Sequence, residues 1–172
     1  MRVLLIPKAE PIEVSGAGYT PEGEILLAGT AALPAPMTAA VRRLARAAVI
    51  CNEGSLYRED SQWVHHGDAM DVAFLSLAYK AGLEPDRVRN SVLKVAEVPF
   101  ESEQMYAAVY YREEGDTQVH LAVKGALEAV LPHCTTMTTA DGAVPMTRRR
   151  RGPPRRPDGE RLSRACRRRS TW

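Results

Sequence analysis

The apolar positions of this chain follow two periods. From Val92 the spacing is two: Val92–Pro99, Met105–Arg112 and Thr117–Lys124 read as three strands. Glu113-Glu114-Gly115-Asp116 lies between the second and third and predicts a hairpin turn. Upstream, the spacing is helical in two stretches. Val41, Leu44, Ala45, Ala48 and Val49 mark one helix, with Arg42, Arg43 and Arg46 on its other face. Thr38 is its candidate N-cap, and Gly54 its candidate left-handed stop. Val72, Leu75, Ala78 and Tyr79 mark a second helix, capped by Asp68 and closed by Gly82.

Shorter signals complete the order. Val3–Ile6, Ile12–Val14 and Ile25–Leu27 read as strands, separated by turns at Ser15–Gly18 and Pro21–Glu24. Leu56–Arg58 and Gln62–His65 flank a polar turn. Pro85–Ser91 reads as a third, short helix and Gly125–His133 as a fourth, with Glu128 early, where the helix dipole favours an acid. The predicted fold is α+β: an antiparallel sheet flanked by helices. After Met146 the periodicity ends. Residues 1–146 are expected to form one domain and residues 147–172 a disordered basic tail.

Composition sharpens this division. The 172 residues suffice for one domain with a core, and 45% apolar content suits a globular chain. No apolar run approaches the ~18 residues of a membrane span. The N-terminus lacks the cleavage signal of a secretory peptide, and Cys51, Cys134 and Cys166 form no CxxC pair. These features argue for a cytoplasmic chain without a zinc ribbon or disulfide framework. The net charge of +2 averages two unlike segments. Residues 147–172 hold eleven arginines against Asp158 and Glu160, a net of +9, which leaves −7 for the rest.

The candidate chemistry lies in three places. Adenine offers flat faces and an amine-bearing edge, so a pocket for it needs a ring, an acceptor and close backbone. Phe100 can stack on the base, a contact worth about 1–3 kcal/mol. Asp71, in the first turn of the helix capped by Asp68, can accept from the amine. Lys124 at a strand end brings a cation, and Gly125 removes a side chain beside it. Taken singly, each has a plainer reading: Phe100 as core, Asp71 as a dipole-favoured helix-start charge, Lys124 as a solvated strand end. His65 and His66 are adjacent on a strand and point to opposite faces, so they are not read as a metal pair.

In order, these pieces resemble the nucleotide-binding (N) domain of P-type cation-transporting ATPases. The matching stretches are Val14–Gly23, Cys51-Asn52, Gly67–Phe74, Pro99–Glu103 and Val123–Glu128, which covers about residues 10–140. The resemblance implies an ATP-binding module in which Phe100 stacks on adenine, Asp71 stands for the usual glutamate near the amine, and Lys124 with Gly125 borders the pocket. Leu127 replaces the proline of KGAPE, and Gln104-Met105 stands where relatives often carry a phosphate-directed Arg or Lys.

The same resemblance implies partners: phosphorylation, actuator and membrane domains, with Mg²⁺ acting only in a complete pump. The sequence has no DKTGT, TGES-like loop or GDGxNDxP segment. No catalytic residue is therefore expected in this chain alone, and Met1-Arg2-Val3 reads as a start just downstream of a phosphorylation motif. The strand that would close the domain is expected after residue 146, where the arginine tail stands. The tail itself matches GC-rich DNA read out of frame. The alternative is a basic tail that binds nucleic acid or an acidic surface.

Overall fold

The computed structural model describes residues 2–3, 11–28, 31–139 and 142–146. Strands β1 (Arg2–Val3), β2 (Ile12–Val14), β3 (Ile25–Leu27) and β4 (Ala31–Ala32) form an antiparallel sheet in sequence order. Ile12 is fully buried there. The expected strand beyond Val3 and the whole basic tail, with Cys166, lie outside the described residues. The β2–β3 loop is laced by its own side chains. Ser15 N donates to Glu24 O at 2.9 Å, and Glu24 N donates to Ser15 Oγ at 2.8 Å. It is also tied to a helix. Ser76 Oγ donates to Thr20 O at 2.9 Å, and Lys80 Nζ donates to Ser15 O at 2.8 Å.

The first helix, α1, is Ala35–Ile50, four residues longer at its start than an N-cap at Thr38 implies. Pro36 explains the difference. A first-turn N–H has no intrahelical acceptor, so proline fits there with its φ already set. Thr38 instead turns its hydroxyl back onto the carbonyls of Leu33 and Pro34. Val41, Ala45, Ala48 and Val49 are buried as the helical spacing requires, but Leu44 is exposed. Arg46 does not remain on a solvated face. It pairs with Glu113 at 2.7 Å, which joins α1 to the central sheet.

Helix α2 (Ala69–Lys80) begins as predicted: Met70 N donates to the Asp68 carboxylate at 2.8 Å. Its buried set is wider than one stripe, because Asp71, Ser76 and Leu77 are enclosed along with Val72, Leu75 and Ala78. Its C-terminus receives the Arg42 guanidinium, which donates to Ala81 O at 2.7 Å and favours the negative end of the helix. The hairpin of β5 (Ser55–Glu59) and β6 (Gln62–His66) sits between the two helices in sequence. Tyr79 donates to Leu56 O, and Trp63 lies against Tyr79. Helix α3 (Pro85–Asn90) then leads into the largest sheet.

That sheet is β7 (Val92–Glu101), β8 (Tyr106–Glu113) and β9 (His120–Gly125), antiparallel, with β8 central. One face carries Ala107, Val109 and Ala122 into the core, where α1 packs against β9. The other presents Tyr110 and Leu121, paired across the ladder and exposed. The third strand starts three residues later than Thr117. Asp116 accepts from Gln118 N and lies 2.9 Å from His120, which prolongs the turn. The expected helix at 125–133 is divided. Gly125 ends β9, α4 is Leu127–Val130, and a 3₁₀ turn covers Leu131–His133. Pro132 accounts for the break, since it supplies no N–H to carry on the helical ladder. A final hairpin, β10 (Thr136–Thr139) with β11 (Gly142–Pro145), closes the described chain.

The Asp68 cap is open to direct measurement. Asp68→Ala removes the acceptor for Met70 N and should cost about 1 kcal/mol, read as a lower urea midpoint at unchanged m-value.

Candidate functional site

Three chain segments meet around Asp71. The first is the loop leaving α1. Cys51 ends the helix, and Asn52 Oδ1 accepts from Gly54 N at 2.8 Å. Gly54 is not in a left-handed conformation, contrary to its expected role as a stop. Its missing side chain serves packing instead. A Cβ there would lie 3.1 Å from His66 O and 3.2 Å from Asp71 Cβ. Gly67 fits against it, with φ of +108° and no room for a Cβ, which would meet Gly54 Cα at 2.8 Å. Two glycines thus let the end of β6 pass under the start of α2.

The second segment is the first turn of α2. Asp71 is 6% exposed, and its carboxylate has two protein donors. Lys124 Nζ bonds Oδ1, and Glu53 N approaches Oδ2 at 3.4 Å. Asn52 Nδ2 donates to the Asp71 carbonyl at 3.0 Å. The third segment is β9, where Lys124 stands opposite Ala107 on the core-side face. The plainer reading of Lys124, a solvated strand end, does not hold. Here its side chain is 20% exposed and ion-paired with Asp71. Burial explains the arrangement: an enclosed carboxylate needs a partner, and a buried cation needs one equally.

Gly125 has a different local reason from the one its neighbour suggested. A Cβ on it would run into Met105 O and Tyr106, and Ala126 N donates to Met105 O at 2.8 Å. The close approach it permits is therefore between β9 and the start of β8. Phe100 lies near the end of β7, 57% exposed. Between Val98 and Glu101 the register slips: Pro99 and Phe100 of β7 stand against the single residue Ala107 of β8. Pro99 sits in this bulge, where the ladder does not need its missing N–H. Glu101, Tyr106 and Gly125 then form one row across the sheet. Phe100 lies inside the bulge, where the alternation of faces is interrupted: counted from Glu101 it falls on the Lys124 face, and counted from Val98 on the opposite one. Among the described residues, no other aromatic ring lies against Phe100.

The cluster therefore joins Asp71 with Lys124, while Phe100 stands exposed in the bulge near the end of β7 and makes no contact with the pair among the bonds of the described residues. Sequence reading missed Glu53 and the packing roles of Gly54 and Gly67, and gave Asn52 no role. The glycine pair was visible, but nothing in the sequence says that the two touch. Cys51 lies beside Lys124. Burial pushes its thiol up, against a smaller downward pull from the Lys124 cation. His65 and His66 each face a tyrosine, Tyr19 and Tyr57, and among the described residues no metal-ligand cluster occurs.

Residues 40–152 match the family model described as P-type ATPase, cytoplasmic domain N. The chain belongs to this family. It is 39% identical over 135 residues to the "Probable cation-transporting ATPase F" of Mycobacterium tuberculosis, which covers 77% of this chain. It is 29% identical over 143 residues to "Cation-transporting ATPase pma1" of Synechocystis, and 30% identical over 141 residues to the human "Calcium-transporting ATPase type 2C member 1". The latter two matches cover 77% and 81% of this chain. The chain spans only 14–15% of the length of these relatives.

Two outcomes follow from the geometry. Lys124→Met leaves the Asp71 carboxylate buried without its cation and should cost about 3 kcal/mol, while adding Asp71→Asn should recover much of the loss in a denaturation cycle. Cys51 should be alkylated by iodoacetamide far more slowly than Cys134 in the folded chain, and at a similar rate in urea. Since folding raises the Cys51 value above its ordinary 9.0, its contribution to stability should be lost as pH rises beyond that point.

Proposed function

We propose that this chain binds ATP through its adenine ring, as the nucleotide-binding domain of a P-type cation-transporting ATPase. Residues 1–146 form that binding unit. Phe100 stacks on one face of the base. Asp71 accepts from the exocyclic amine with a carboxylate lone pair that Lys124 and Glu53 leave free. Lys124 borders the pocket, and Gly125 lets the β8–β9 strand ends close behind it. The observation that supports this reading is the enclosed Asp71–Lys124 pair in a chain whose Phe100 is exposed and unstacked.

The residues present suit an adenine ligand. An open aromatic face accepts stacking, and a fixed carboxylate selects an amine over a carbonyl. Phosphate binding has less support. Lys124 already neutralises Asp71, and Glu101 and Glu103 flank Phe100, with Gln104 and Met105 next in the chain. Affinity for ATP is accordingly weak, about 4 kcal/mol or near millimolar.

In a whole pump, the domain would present the γ-phosphate to an aspartate on a phosphorylation domain, with Mg²⁺ bound there and actuator and membrane domains completing the cycle. This chain supplies binding and orientation, and no residue in it accepts the phosphoryl group. The binding face belongs on the cytoplasmic side of the membrane. A nucleic-acid function would rest on residues 147–172, which lie outside the described residues, and no observation favours it.

Titration of the full chain with ATP should shift the amide resonances at Phe100 and Lys124, with a midpoint near millimolar. Phe100→Ala should weaken binding by about tenfold or more, the loss of one base stack. A folded sample with no shift at either residue would sink the proposal.

A further inference from the structure

We propose that Asn52 is a positioning residue for nucleotide selection, acting through Asp71. The inference rests on the adenine-binding reading above and deepens it. Asn52 holds two things at once: its Oδ1 accepts from Gly54 N at 2.8 Å, and its Nδ2 donates to Asp71 O at 3.0 Å. The first bond fixes the loop after α1, and the second couples that loop to the first turn of α2.

The coupling is specific to the carboxamide. Gly54 N needs an acceptor, and Asp71 O needs a donor. Only a short side chain carrying both, at this spacing, satisfies the two together. The coupling also sets Glu53. Its N–H approaches Asp71 Oδ2 at 3.4 Å because Asn52 and Gly54 hold the loop on either side of it. Lys124 occupies the other oxygen. Asn52 therefore governs the direction in which the remaining lone pairs of Asp71 point. A base amine must meet one of those lone pairs, while a base carbonyl at the same place would meet like charge.

The selectivity of the site is the quantity that Asn52 controls. Substitutions can separate this effect from simple loop stability. Asn52→Ser keeps a hydroxyl that can accept from Gly54 N but cannot reach Asp71. Asn52→Asp also keeps the acceptor but turns an oxygen toward the Asp71 carbonyl. Both preserve the turn and remove the tether.

The test compares ATP with inosine triphosphate, which carries a carbonyl in place of the 6-amine. Both are titrated against the full chain and the two variants, with thermal melting followed in parallel. The unaltered chain should prefer ATP by about tenfold, the worth of one charge-assisted hydrogen bond. Asn52→Ser should reduce that preference to about twofold or less by weakening ATP binding alone, with inosine triphosphate affinity unchanged. Asn52→Asp should also lower the ratio. A preserved ratio in both folded variants, or equal losses for the two nucleotides, would overturn the role of Asn52 and leave the adenine reading standing. An unaltered chain that binds both nucleotides equally, or neither, would overturn both. A variant that does not melt cooperatively would show that Asn52 holds the fold as a whole and would equally overturn a role confined to selection.

Discussion

The enclosed ion pair between Asp71 and Lys124 is the constraint around which the rest is arranged. Enclosing a carboxylate at 6% exposure is costly unless it is paired, and here the partner comes from a distant part of the chain. Fifty-three residues separate the two, and they come from different layers, a helix start and a strand end. Meeting that demand ties the start of α2 to the end of β9. Gly54 and Gly67 allow the β5–β6 hairpin to pass beneath, and Asn52 ties the loop to the helix. Breaking such a pair by removing one member costs about 3–5 kcal/mol, whereas its net contribution when intact is small. Its main effect is thus to specify one arrangement of helix and strand.

The two faces of the β7–β9 sheet have different tasks. The inner one is built from small residues, Ala107 and Ala122, which let α1 come close to β9. The Arg46–Glu113 bridge fastens the far end of the same helix. At the opposite end of the sheet, a bulge at Pro99 changes the alternation of β7 and leaves Phe100 at the margin. The rigid and the open parts of the proposed site are therefore built differently. Asp71 is held by packing from several elements, while Phe100 is held by one edge strand.

Much of this was legible in the sequence. The order of elements, the Asp68 cap, the three-stranded sheet and the family resemblance all came from local patterns. Short-range chemistry wrote each of them: a capping side chain, a period of two, a turn of acids and glycine. What stayed hidden depended on distant contacts. Leu44 fits the helical stripe as well as Ala45 does, and only the position of α2 decides that it faces solvent. Gly54 resembles a helix stop by type, but it is small because another glycine passes over it. Lys124 reads as a cation beside a pocket, but its bond to Asp71, fifty-three residues away, is not visible in the sequence. The split of the fourth helix was visible at Pro132 and was outweighed by the apolar pattern around it.

The β2–β3 loop carries one further consequence. The family match begins at residue 40, yet Ser76 and Lys80 of α2 both donate to carbonyls at Thr20 and Ser15. Ser76 is buried, so losing its acceptor would leave a hydroxyl unsatisfied at a cost of about 1–3 kcal/mol. The stretch matched by the family model is thus smaller than the set of residues bonded to α2. The support of that helix begins in a loop that the model's span does not include.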